Sequence, residues 1–295
     1  MKTYFGSAVI LLLALLILGA PTGSAQDYRI GWYSINSGGG LVSGGSYKLN
    51  GSVGQPAAGF AKSGSFLHWI SFWAGDVLTP VVKETIDQAK VTADGVFVSV
   101  AGKIATTGKD PVTNIPDRFT GFFYIEEEDR SSGIRVSCPI WPVGELLRGS
   151  TINVIGTMGT TSAGERQIVA PIVIIGSTTD VPPPLGMNNR WLGGSDLGSP
   201  PLGQYGVTGG TGLNNVGLLV KIWGRVTETG NGYVVIDDGT GIGVRVDTTT
   251  IAAPPGSNQY VTVIGASSLY KPAADRLRLV LPRDDSDIGW LLGGY

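Results

Sequence analysis

Val220-Lys221-Ile222-Trp223-Gly224-Arg225, Tyr233-Val234-Val235-Ile236-Asp237-Asp238, Gly243-Val244-Arg245-Val246 and Tyr260-Val261-Thr262-Val263-Ile264-Gly265 follow one another late in the chain. The same order of features occurs upstream. There the blocks are Val98-Ser99-Val100-Ala101-Gly102-Lys103, Phe123-Tyr124-Ile125-Glu126-Glu127, Gly133-Ile134-Arg135-Val136 and Thr151-Ile152-Asn153-Val154-Ile155-Gly156. Apolar residues alternate with polar or small ones, the period of a half-buried strand. Four blocks in matching order argue for duplication of one domain. A final strand fits Arg166-Gln167-Ile168-Val169-Ala170 in the first copy and Arg276-Leu277-Arg278-Leu279-Val280 in the second.

Five short strands, a glycine near the end of the first and an acidic turn after the second resemble the OB-fold, a small Greek-key barrel. Gly102 and Gly224 are expected to let a long first strand bend into both halves of a barrel. In the third strand, alternation points Ile134 and Val136, or Val244 and Val246, inward, leaving Arg135 or Arg245 outward. A short helix over Pro142-Val143-Gly144-Glu145-Leu146-Leu147 is expected to plug the first barrel. Ala252-Ala253-Pro254-Pro255-Gly256 leaves no such helix in the second.

Upstream, Lys2, the apolar run Val9–Leu18 and Gly23-Ser24-Ala25 read as a signal peptide over 1–25. The run is about half the ~20 residues a membrane-spanning helix needs, so no span is expected in the mature chain. The expected location is therefore exported: extracellular, cell surface or periplasmic. Residues 26–80 alternate glycine-serine clusters with aromatic or apolar stretches. Gly44–Pro56, Gly64-Ser65-Phe66-Leu67 and Ser71-Phe72-Trp73 resemble a glycine-rich β module found near the N-termini of many exported bacterial proteins. Val82–Lys90 is compatible with a helix or with the approach to a strand. The expected fold class is all-β, with two tandem five-stranded OB-like Greek-key barrels, at 81–177 and 213–290, after the glycine-rich module, and a tail at 291–295. Between the barrels, 178–212 has the composition of a Pro/Gly-rich linker, although Met187-Asn188-Asn189-Arg190-Trp191-Leu192 carries apolar groups a spacer does not need. The linker, the second barrel and Gly212–Val220 resemble exported bacterial proteins of unassigned function.

The chain has 46 glycines and only 15% charged residues, with a formal net charge of −2. Without a global basic field, any binding of nucleic acid or anionic lipid must be local. One cysteine and one histidine exclude an intramolecular disulfide and a zinc site built from several such ligands. Cys138 reads as a small core residue, and His68, between Leu67 and Trp69, as an ordinary strand residue. No nucleotide-binding glycine fingerprint, Walker motif or Gly-x-Ser-x-Gly elbow is present. The acidic clusters Glu126–Asp129 and Asp237–Gly241 read as solvated turns rather than calcium loops, because they lack alternating ligand spacing. Neighbouring carboxylates on a strand also point to opposite faces, a poor acid and base pair. No catalytic residue, metal or cofactor is expected.

Alternation in the second copy places Val220, Ile222 and Val226 on one side of the first strand and Lys221, Trp223 and Arg225 on the other. With Tyr233 and Arg245 these are the candidate ligand-binding residues, a basic and aromatic platform for nucleic acid or oligosaccharide. The first copy offers Ser99, Ala101 and Lys103 instead. In the alternative, Trp223 covers the barrel against the linker or the other domain. Asn214 to Arg283 carries seven basic and five acidic residues, which permits a polyanion without favouring one strongly. The expected function is noncatalytic binding. The competing expectation is a structural or assembly component of the cell surface, with a protein partner or self-association.

Overall fold

A computed structural model describes residues 80–138 and 146–291, and the backbone of strands within 38–70. Two compact units form, Met1–Gly75 and Asp76–Tyr295. In the first, β1 (Gly38–Gly44) pairs antiparallel with β2 (Tyr47–Val53), and β3 (Gly59–Ser63) with β4 (Phe66–Ile70). These are the hairpins that glycine-serine punctuation calls for. His68 lies on β4 opposite Ala61. Its side chain, the expected signal peptide, Ser71–Trp73 and residues 139–145, most of the expected plug helix, lie outside the described residues.

The second unit opens with β5 (Val81–Lys83) and α1 (Ile86–Lys90), capped by the Thr85 side chain, which accepts from the Gln88 N–H. Then come β6 (Phe97–Ala105), β7 (Phe122–Glu126), β8 (Gly133–Ser137), β9 (Ser150–Thr160) and β10 (Arg166–Thr178). They pair in the order β6-β7-β8-β10-β9, and β9 returns to β6, closing a ring. The third and fifth strands run parallel and the other ring pairs antiparallel.

A short stretch, β11 (Leu185–Gly186), β12 (Leu197–Ser199) and β13 (Leu202–Gln204), leads to the second copy. There β14 (Leu219–Gly230), β15 (Tyr233–Asp237), β16 (Val244–Asp247), β17 (Tyr260–Tyr270) and β18 (Leu277–Leu281) repeat the same closed order and the same parallel pair, and β19 (Ile288–Leu291) adds to β17. Among the described residues the protein is thus all-β apart from short helical turns, built on two OB-like rings.

Each ring holds its own core, made by the inward half of the alternation. Val98, Val100, Phe123, Ile125, Ile134, Val136, Ile152, Val154 and Ile168 fill the first. Val220, Ile222, Val226, Val234, Ile236, Val244, Val246, Val261 and Val263 fill the second. Cys138 is buried in the first core as a small apolar residue. Ile86 and Ala89 bring α1 into that core, so the Val82–Lys90 stretch supplies both a strand and a helix.

The second core, which has no helix at 252–256, is completed from the glycine-proline stretch instead. Leu192 is fully buried in it, and Leu185 and Met187 pack alongside. Asn189 donates from Nδ2 to the Ile236 and Ile242 carbonyls, while β11 pairs with β14. At the other end of the stretch, Gln204 accepts from the Arg166 N–H and donates to the Gly164 carbonyl. The segment therefore packs against both barrels rather than spacing them.

Gly102 bends β6 as expected: its φ is +70° and the register against β9 shifts between Val100 and Lys103. Gly224 has a different reason to be glycine. An added Cβ there would lie 2.6 Å from the Asp237 carbonyl oxygen, so it admits the backbone of β15. The register shift of β14 falls further on, between Val226 and Val235's partner Glu228.

The two barrels meet through the outer face of β7 and β8. Tyr124, fully buried, packs on Ala266 of β17 and Leu281 of β18. Its hydroxyl donates to Glu165, whose other carboxylate oxygen accepts from the Ser268 hydroxyl. Arg148 reaches Asp110 and Asp117 in the first barrel and Asp284 beyond the second. Lys90 donates to the Val216 carbonyl, and Glu126 accepts the Leu219 N–H. Gly133 and Gly217 touch backbone to backbone, with each added Cβ falling 2.3 or 2.4 Å from the other's carbonyl oxygen.

Burial pushes the Glu126 carboxyl from its usual 4.5 up to about 8. Between those values the unfolded chain has released a proton that the folded chain keeps, so this group's contribution makes stability fall as pH rises from about 4.5 to about 8. Glu126→Gln stays neutral and can accept the same N–H, and is expected to flatten the decline. Denaturant melts at pH 5, 6.5 and 8 measure it, and equal declines in both proteins would contradict the assignment. Lys90, lowered by burial to about 8 from 10.5, acts in the adjoining window above, where rising pH restores stability.

Candidate functional site

Alternation along β14 is realised in full: Val220, Ile222 and Val226 are buried, while Lys221, Trp223 and Arg225 face solvent. The Trp223 side chain is 50% exposed. The Arg190–Leu192 segment does not cover it, since Leu192 turns into the core and Trp191 lies against Gly212. Trp223 stands between two shallow depressions. One is lined by Arg225, Asp237, Asp238 and Tyr260, the other by Lys221, Met187 and Thr262. Pairing sets this arrangement, because Thr262 lies opposite Trp223 and Tyr260 opposite Arg225 on β17.

Tyr233 and Arg245 lie elsewhere. Tyr233 pairs with Gly230 at the far end of β14, roughly 20 Å along the strand from Trp223 at ~3.3 Å per residue. The Arg245 guanidinium is held between two rings, 3.6 Å from the centroid of Tyr233 and 4.3 Å from that of Tyr270. Tyr233 donates to Glu228, and that hydrogen bond with the carboxylate's charge raises its phenol above the usual value. The five candidate residues thus form two separate groups, Lys221, Trp223 and Arg225 on one wall and Tyr233 with Arg245 on another.

The Arg245 stack has a counterpart that the sequence blocks did not pair. Arg135 lies 3.6 Å over the ring of Phe122, and Phe122 stands one residue before the block quoted for its strand. Tyr124 opposes Arg135 as Val235 opposes Arg245, which makes Phe122 the equivalent of Tyr233. Both barrels therefore carry an arginine over an aromatic ring on the outer face of the second and third strands. OB barrels commonly bind ligands on that face. In the first copy much of it is closed by the second barrel.

The residues set aside for chemistry are engaged structurally. Lys103, the first copy's only cation of its platform, is buried and donates to Glu127 at 2.6 Å and to the Glu84 carbonyl. Glu127 also accepts the Ile86 N–H. Asp237 accepts from the Gly239 and Gly241 N–H groups, holding its turn. Burial disfavours the ionised Asp238, but hydrogen bonds from Thr240 and the Asn189 N–H outweigh it and hold the carboxyl below its usual value. Both acidic clusters are turn and packing elements, but the first is not the solvated turn expected from its sequence, because Glu126 is buried against the Leu219 N–H. No protein-family model matches the chain, and no curated protein matches it.

Proposed function

We propose that the chain is an exported, noncatalytic binding protein whose second barrel holds an oligosaccharide across Trp223. The supporting observation is the half-exposed indole standing between two depressions, one carrying Arg225, Asp237 and Tyr260 and the other Lys221 and Met187. A sugar ring lays its apolar face on an indole and turns its hydroxyls to neighbouring donors and acceptors. Arg225 offers the donors, Asp237 the acceptors, and adjoining rings extend into either depression. A nucleic acid fits the same indole less well, since Asp237 and Asp238 would face its phosphates beside Arg225.

Retention on an array of neutral and acidic oligosaccharides tests this, with fluorescent single-stranded DNA run in parallel across a salt series. Trp223→Ala is expected to weaken oligosaccharide binding about 10- to 100-fold, the scale of a tryptophan anchor worth ~2 kcal/mol. Its melting temperature is expected to stay near that of the parent, because the side chain is outside the core. Salt-sensitive DNA binding lost in the same variant would replace the sugar by a nucleic acid. Absence of both would favour an assembly role at the cell surface, for which the edge strands β5, with Val82 73% exposed, and β19, with Trp290 half-exposed, offer contacts.

A further inference from the structure

We propose that the cleft between the two barrels is a separate binding site for a single neutral sugar ring. Arg118, Phe119 and Phe122 of the first barrel and Asp247, Thr250 and Leu281 of the second enclose a space of about 210 Å³. That is below the ~300 Å³ at which ordinary small-molecule pockets begin, so the space fits one ring rather than a chain of them.

The walls differ in chemistry. On one side Phe119 and Phe122 stack, with centroids 5.1 Å apart and planes at 21°, and both pack against the cluster of Tyr124, Ala266 and Leu281. On the other side stand the Asp247 carboxylate, outward on β16, and the exposed Thr250 hydroxyl. A wholly apolar ligand would strip water from Asp247 without replacing it. A phosphate or sulfate would meet that carboxylate, and the cation at the rim, Arg118, is already paired to Asp285 at 2.5 Å. A pyranose satisfies both walls, with carbon-bound hydrogens against Phe119 and the edge of Phe122, whose faces Arg135 and Phe119 already cover, and hydroxyls on Asp247 and Thr250.

The site is also independent of Trp223. Around the second ring β14 pairs with β15 and β17, whereas the cleft draws on β16 and β18, the two ring strands that β14 does not touch. The Arg148, Glu165 and Gly133 contacts fix the barrels against each other and so preorganise a cleft that neither barrel forms alone.

Amide NMR of the whole protein titrated with methyl glycosides of glucose, galactose, mannose and N-acetylglucosamine tests the proposal. At least one is expected to shift the Phe122, Asp247 and Thr250 amides saturably, in the millimolar range. Thr250→Phe, which fills the cleft from an exposed position, is expected to weaken that binding at least tenfold. Trp223→Ala is expected to leave it unchanged, which separates failure here from failure of the Trp223 site. Shifts that survive Thr250→Phe, or no shift with any glycoside, overturn the proposal. So does saturation of the same amides by inorganic phosphate or N-acetyltyrosine amide in place of the sugars.

Discussion

Arg148→Met is expected to lower the melting temperature by about 10 °C at neutral pH. The Arg148 guanidinium is buried and bonds to carboxylates of both sides of the barrel junction, Asp110 and Asp117 on one and Asp284 on the other. Burial works against its charge, but Asp117 and Asp284 outweigh that and hold the guanidinium above its usual value. Removing one partner of a buried ion pair costs about 3–5 kcal/mol, because the remaining charge is left unpaired. For a unit of this size each kcal/mol shifts the transition by about 2–4 °C.

The pH dependence of the loss is part of the expectation. Burial already pushes the Asp117 carboxyl up to about 6 with Arg148 beside it. Without the arginine it can escape the penalty by taking a proton. The difference between parent and variant should therefore be smaller at pH 5 than at pH 8. Thermal melts at the two pH values decide the matter, and a loss that does not grow with pH would mean the penalty is not an unpaired carboxylate.

Gly133→Ala is expected to lower the melting temperature by about 5 °C, while Gly243→Ala has much less effect. The two glycines hold the same place in the repeat, at or just before the third strand. At Gly133 an added Cβ would lie 2.3 Å from the Gly217 carbonyl oxygen and 2.6 Å from its carbon, and neither backbone can move without parting the barrels. At Gly243 the new methyl would meet only the Val235 side chain, at 2.8 Å, which can turn aside. Neither glycine has a positive φ, so backbone strain does not enter. Overpacking of this kind costs about 1–3 kcal/mol, which is the basis for the temperature shift. Parallel melts of both variants measure it, and equal shifts would place the effect inside the repeat rather than at the junction.

Much of each barrel was legible because strand alternation is a local property. Val220, Ile222 and Val226 read inward and are buried, Lys221, Trp223 and Arg225 read outward and are exposed, and the matching order of blocks corresponds to two sheets with the same strand order. The role of Gly224 was less legible, since a glycine that bends a strand and one that admits a neighbouring backbone look alike in sequence. The same holds for the 178–212 stretch, whose composition is that of a spacer although Leu192 and Gln204 tie it to the barrels.

By itself the sequence determined which side chains leave β14 and in what order the strands come, but it grouped Lys103 with the outward Ser99 and Ala101, and the shift at Gly102 buries it. Only the tertiary structure decided what those outward side chains meet. Tyr124 and Tyr233 both alternate outward, yet one is sealed beneath β17 and β18 and the other stacks on Arg245 at the surface. Lys221, Trp223 and Arg225 share a wall that Tyr233 and Arg245 do not, because curvature and length of the strands separate positions that a list of outward residues puts together. The period of a strand is set by its own backbone. The docking of one barrel on another depends on the fit of surfaces far apart in the chain, here allowed by two glycines that let the backbones touch.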